Sequence, residues 1–207
     1  MRFSVSILLA LVHIAMGEAA MAETINFDSG VVGKAPTGWT CGLTGRGAQR
    51  WTVELDPGAP AKKNVLKQSG RGDFPWCVKD GTSLADGHVE VRFKPVSGKD
   101  DQAGGLVWRW QDGENYYVAR ANALEDNVSL YYTQNGRRIT IKYVNAPVAK
   151  NQWHALRVEF AGTRIRVALD GKTYIEADDS HIATPGRIGV WTKADSVSLF
   201  DDFSYGN

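Results

Sequence analysis

Gly104-Gly105-Leu106-Val107-Trp108-Arg109-Trp110-Gln111-Asp112-Gly113-Glu114-Asn115-Tyr116-Tyr117-Val118-Ala119-Arg120-Ala121-Asn122 decides how this chain is read. The stretch is two alternating runs around a polar Asp-Gly turn, the pattern of a β-hairpin. Its Trp, Tyr and Arg side chains fill sandwich cores, but they also stack on ring-shaped ligands and fork hydrogen bonds to hydroxyls.

The same period of two recurs outward from this block, and helical periodicity is absent after the N-terminal segment. Val89, Val91 and Phe93 alternate with Glu90, Arg92 and Lys94, and Val128, Leu130 and Tyr132 with Ser129, Tyr131 and Thr133. Leu156, Val158 and Phe160 form a third apolar face, Ile165, Val167 and Leu169 a fourth, and Ile188 and Val190 a fifth. Asp170-Gly171 and Asn135-Gly136 separate alternating runs and tolerate positive φ, so each predicts a hairpin turn. Between residues 29 and 87 the chain is richer in Gly and Pro, with strand candidates only near 50–55 and 64–68. These signals predict one all-β sandwich over residues 23–207.

Met1-Arg2, an apolar run from Phe3 to Met16 and Ala20-Met21-Ala22 before Glu23 make a secretory signal peptide over residues 1–22. The expected location is therefore secreted or periplasmic. No later segment is long and apolar enough to span a bilayer, so no membrane insertion is expected after cleavage. The formal net charge is +1 with both signs scattered, and no basic patch marks a nucleic-acid partner. Composition leaves the oligomeric state open. The chain has two cysteines, Cys41 and Cys77; in an exported protein an even count favours a disulfide over two buried thiols.

Several motifs resemble one superfamily in order along the chain: Gly105–Arg109, Asn115-Tyr116-Tyr117, Trp153-His154-Ala155-Leu156-Arg157-Val158, Leu169-Asp170-Gly171-Lys172, Gly186–Ser196, and Phe200-Asp201-Asp202-Phe203. With Phe27-Asp28 and Pro36-Thr37-Gly38-Trp39, they are similar to the concanavalin A-like lectin/glucanase superfamily. Within it the likeness is to laminin-G-like and 3-keto-disaccharide-hydrolase-type domains of exported bacterial proteins. The resemblance implies a jelly-roll sandwich of two curved antiparallel sheets, with glycans bound on the concave one.

Parity nominates the residues that line this face. With Leu106, Trp108 and Trp110 inward, Arg109 points away from the core; with Tyr116 and Val118 inward, Tyr117 does too. Tyr131, Trp191 and Lys193 fall on the same side, and Arg120 and Asn122 join them if a bulge intervenes. The expected partner is a carbohydrate, bound by Arg109, Tyr117, Arg120, Asn122, Tyr131, Trp191 and Lys193. Core packing is the competing reading for Trp108, Trp110, Tyr116 and Tyr132.

Catalysis has less support in the sequence. Glucanases of the superfamily place E-x-D-x-E or E-x-D-x-x-E on one strand, but Glu54/Asp56 and Glu176/Asp178 lack the closing Glu. A glycoside hydrolase or lyase built on another pair, such as Glu114 and Glu125, stays open as the alternative, and an envelope protein-interaction domain as a third. No cofactor is required by this reading. The resemblance brings a possible structural calcium at Asp28 and Asp202, for which the sequence supplies only part of the oxygen set.

Overall fold

The computed structural model describes residues 23–61 and 63–207; the expected signal peptide, residues 1–22, lies outside the described residues. In chain order the strands begin β1 (Glu23–Ile25), β2 (Trp39–Ala48), β3 (Trp51–Leu55), β4 (Asn64–Gln68) and β5 (Arg71–Lys79). They continue with β6 (Gly87–Ser97), β7 (Ala103–Asp112), β8 (Asn115–Asn122), β9 (Asn127–Gln134) and β10 (Arg137–Asn145). The last are β11 (His154–Ala161), β12 (Arg164–Leu169), β13 (Lys172–Asp178), β14 (Arg187–Trp191) and β15 (Val197–Gly206).

They form two antiparallel sheets packed face to face, the jelly-roll sandwich. An eight-stranded sheet runs β13-β12-β11-β6-β15-β4-β3, with β1 paired to β15, and a seven-stranded sheet runs β10-β9-β8-β7-β14-β5-β2. The hairpin turns form where Asp170-Gly171 and Asn135-Gly136 predict them, with all four residues at positive φ. β2 and β5 had no clear sequence signal. β2 is Gly-rich and β5 contains Pro75, yet they pair along their lengths, and Cys41 sits opposite Cys77. These two cysteines form the disulfide.

The core lies between the sheets. Val89, Val91 and Phe93 meet Leu106, Trp108, Val128 and Leu130 across the interface, and Trp108 stacks on Phe160 at 5.8 Å. In β15, Asp202 takes φ 45° and the register with β6 shifts between Asp201 and Ser204. This bulge lets Phe200 and Phe203, three residues apart, both enter the core.

The bulge also buries Asp201, which accepts hydrogen bonds from the amides of Ala61 (2.9 Å) and Asp202 (2.8 Å). Burial, helped by the nearby charges of Asp202 and Asp28, pushes its carboxyl up to about 6. A carboxyl raised in the folded state stabilises the fold below its unfolded pKa, and that stabilisation is lost as pH rises through about 6. A carboxyl-carbon NMR titration is therefore expected to show Asp201 with a midpoint near 6. A midpoint in the ordinary range, near ~3.9, would contradict this placement.

Candidate functional site

The seven-stranded sheet is curled toward its outer face. β2 and β8 are four strands apart, about 19 Å in a flat sheet. Nevertheless the Thr44 hydroxyl lies 2.6 Å from that of Tyr116. From the opposite edge, the Arg138 guanidinium on β10 lies 4.7 Å from the ring of Phe74 on β5. Side chains bridge such spans only over a concave surface.

The floor of the concavity is a second apolar cluster, separate from the core: Trp76, Val107, Trp110, Tyr116, Val118 and Trp191. Trp76 and Trp110 pack at 5.0 Å, and Phe74 stacks on Trp191 at 5.8 Å. Gly42 lies under Trp76, where a Cβ would come within 2.6 Å of the indole. Any larger residue there would lift the ring from the floor.

A charged cluster borders this floor at the end of β8. Asp101, in the loop between β6 and β7, has no exposed surface. It accepts a 2.6 Å hydrogen bond from Asn122, pairs with Lys193, and lies 3.6 Å from the Arg120 guanidinium. Arg120 also donates to Glu125 at 2.6 Å and to Asn127 Oδ1 at 3.2 Å. Asn127 in turn donates to Glu125 at 2.7 Å and to the Tyr143 hydroxyl at 2.9 Å.

The loop carrying Asp101 is held by Asp195, whose carboxylate accepts from the amides of Lys99, Asp100 and Asp101 at 2.8–3.1 Å. The Gly186–Ser196 motif therefore contributes both Trp191 and the clamp that positions the cluster.

The two carboxylates are driven in opposite directions. Burial pushes Asp101 up from its ordinary value, although Lys193 and Arg120 oppose the shift. Burial also raises Glu125, but the hydrogen bond from Asn127 and the charge of Arg120 outweigh it and hold that carboxyl low.

Of the residues nominated from sequence, the structure brings Arg120, Asn122, Tyr131, Trp191 and Lys193 to this face. Two nominations are corrected. Arg109 takes φ 45° at a register shift between Trp108 and Asp112. This bulge puts Trp110 on the outer face and turns Arg109 to the rim of the sandwich. There it donates to the carbonyls of Ala85 (2.9 Å), Gly162 (2.8 Å) and Ile182 (2.8 Å), tying three loops together.

Tyr117 points into the core, where it stacks on Trp108 at 5.2 Å. Its hydroxyl donates to Asp179 and accepts from the Ile182 amide at 3.1 Å. Burial and the bond to Asp179 push that phenol up to about 12. Tyr116, read as core, occupies the outer face instead. Tyr117→Phe is expected to cost about 1–3 kcal/mol of stability and to leave ligand binding on the concave face unchanged, as urea denaturation and calorimetry will show. A binding defect at unchanged stability would reverse the correction.

The calcium expectation concerns Asp28 and Asp202. Asp28 Oδ1 accepts from the Asn64 amide at 3.0 Å, which ties the N-terminal turn to β4. Among the described residues no three His, Cys, Asp or Glu side chains converge as metal ligands. Glu114 and Glu125 lie in the turns at opposite ends of the eight-residue strand β8, about 25 Å apart, so they do not form a catalytic pair.

A groove of about 830 Å³ lies on the outer face of the other sheet. Arg157 bridges Glu90 and Glu159, and Arg166 bridges Glu159 and Glu176, while Arg164 and Asp178 in its lining make no ion pair among the described residues. Most of that face is a ladder of cross-strand ion pairs.

Residues 26–204 match the 3-keto-alpha-glucoside-1,2-lyase-like domain. The chain belongs to this family. The lyase-like domain is also 28% identical over 138 residues to the levanase of Bacillus subtilis (strain 168), a stretch covering 65% of this chain and 20% of that protein. It thus spans about a fifth of the length of that relative. Among solved structures it is similar to the carbohydrate binding module CBM66 from Bacillus subtilis, with TM-score 0.66, 25% identity, and coverage of 83% of this chain and 96% of that one. A Bacillus licheniformis beta-glucanase shares the fold, with TM-score 0.61 and 16% identity over 93% of this chain and 99% of its own.

Proposed function

We propose that this lyase-like domain binds a saccharide on the concave face of the seven-stranded sheet, as part of an exported protein. The observation that carries the reading is the cluster of Arg120, Asn122, Glu125, Asn127 and Lys193 beside Tyr131 and Trp191. Tyr131 and Trp191 are themselves covered by Arg138 and Phe74 and form the apolar floor, while the partly exposed Glu125 and Lys193 are placed to take the hydroxyls of a sugar above it. The 25% identity to a carbohydrate binding module over most of the chain supports it. The Cys41–Cys77 disulfide and the signal-like residues 1–22 support export to an oxidising compartment.

The test is titration calorimetry against levan, mixed-linkage β-glucan and α-glucosides, chosen from the names of the relatives. Lys193→Met and Glu125→Gln, both at partly exposed positions, are each expected to weaken binding roughly tenfold or more. Absence of binding to any saccharide, or variants that bind like the parent, would overturn the reading.

A second reading, saccharide cleavage, is favoured by one observation. Asp101 and Glu125 flank one guanidinium with their pKa values pushed apart, the arrangement that separates an acid from a base. Asp101, however, is sealed behind Arg120, Lys193 and Asn122, and its carboxyl has no open path to a glycosidic oxygen. Product release abolished by Glu125→Gln with binding retained would place cleavage first.

A further inference from the structure

Arg138 is unlike the other cations of the concave face. Arg120 and Lys193 are matched by Asp101 and Glu125, two positive charges against two negative. No carboxylate lies within 4.0 Å of Arg138 among the described residues, and no side chain accepts a hydrogen bond from it. Its guanidinium rests between rings instead, 4.2 Å from Tyr131, 4.7 Å from Phe74 and 5.6 Å from Trp191. Arg120 also lies 5.7 Å from the Tyr131 ring. Nη1 of Arg138 is buried without a partner. The side chain keeps some exposed surface, so the guanidinium sits in an aromatic cage with part of its donor fork still free.

A half-buried guanidinium without an anion is costly, and three ring faces offset only part of that cost. The unpartnered buried atoms on this face have the same bias. Arg120 Nε, Arg138 Nη1 and the indole nitrogens of Trp76 and Trp110 all donate, while the Trp191 indole and the Thr133 hydroxyl lie against the Tyr116 hydroxyl. A neutral saccharide already accepts more than it donates, since each hydroxyl donates once and accepts twice and its ring oxygens only accept. It is therefore the unpaired charge of Arg138 that selects an acid. A face with excess donors and one excess positive charge is complementary to a ligand with excess acceptors and a negative charge.

We infer that the concave face prefers a saccharide carrying a carboxylate, a uronic acid, and that the free edge of Arg138 takes that carboxylate through a two-bond fork. This rests on the saccharide-binding reading above and adds the chemical class of the ligand. The planar fork matches a carboxylate better than a lysine ammonium would. Glu125, the partly exposed acid of the cluster, is held by Arg120 and Asn127, which limits its repulsion of the incoming charge.

The experiment is calorimetry of the whole protein against uronic-acid oligosaccharides and the same oligosaccharides after reduction of each carboxylate to a primary alcohol. The acidic member of at least one pair is expected to bind roughly tenfold or more tightly than its reduced partner, and to weaken as salt is raised. Arg138→Gln is expected to erase that preference and keep the weaker affinity for the reduced sugar. Arg138→Lys, which keeps the charge and loses the fork, is expected to fall between them. Equal binding of both members, or a preference that survives Arg138→Gln, overturns this inference and leaves the saccharide reading standing. Failure of every saccharide, acidic or neutral, overturns both.

Discussion

Arg120→Met is expected to lower stability by about 3–5 kcal/mol and to abolish saccharide binding. The guanidinium is 2% exposed and sits between the buried Asp101 and Glu125, with Tyr131 against its face. Removing it leaves Asp101, with no exposed surface, compensated by Lys193 and Asn122 alone. A buried charge stripped of a partner costs far more than the pair contributed. The double variant Asp101→Asn with Arg120→Met is therefore expected to recover part of the lost stability while saccharide binding stays absent. Urea denaturation read by tryptophan fluorescence measures the first quantity and calorimetry the second. A single variant within about 1 kcal/mol of the parent would mean that the cluster is solvated and that Arg120 is not its centre.

Replacing both cysteines with serine is expected to cost about 3–4 kcal/mol. The disulfide closes a loop with a sequence separation of 36, which includes β3 and β4 on the other sheet. Opening it releases the edge strand β2, which carries Thr44 over Tyr116 and Gly42 under Trp76. The amides of β2 are accordingly expected to lose hydrogen-exchange protection before those of β7 and β8. A shift in the urea midpoint equivalent to less than about 1 kcal/mol would place the constraint elsewhere.

The sandwich was legible because most strands bury one face and the Asn-Gly and Asp-Gly turns specify hairpins at the right places. β2 and β5 were harder, since Gly42, Gly45 and Gly47 supply no alternation and Pro75 argues against a strand interior. The face assignment of β8 failed for a different reason. Seven of its eight residues are buried, because the curled sheet buries its outer surface around Trp191 as well as its inner one. Hydrophobicity then carries no parity information, and the small Ala119 and Ala121 in fact face the core.

Arg109 shows how one residue at positive φ inverts a strand beyond it. Trp110, two residues from Trp108, lies on the opposite face. Asp101, Arg120 and Lys193 come from segments far apart in sequence, so no spacing foretold their meeting. The motif around Trp191 and Asp195 was the partial signal, since Asp195 is what holds the Asp101 loop.

The central claim is that the concave face of the seven-stranded sheet, and no other surface, takes the saccharide. The direct measurement is a two-dimensional NMR titration of nitrogen-15-labelled protein with the tightest-binding oligosaccharide of the panels. The expected result is movement of the Trp191 indole signal and the Arg120, Asn127 and Lys193 amides, with Arg157, Arg166 and Glu176 on the other sheet unchanged. Movement confined to that second group, or no movement at saturating saccharide, would contradict the account.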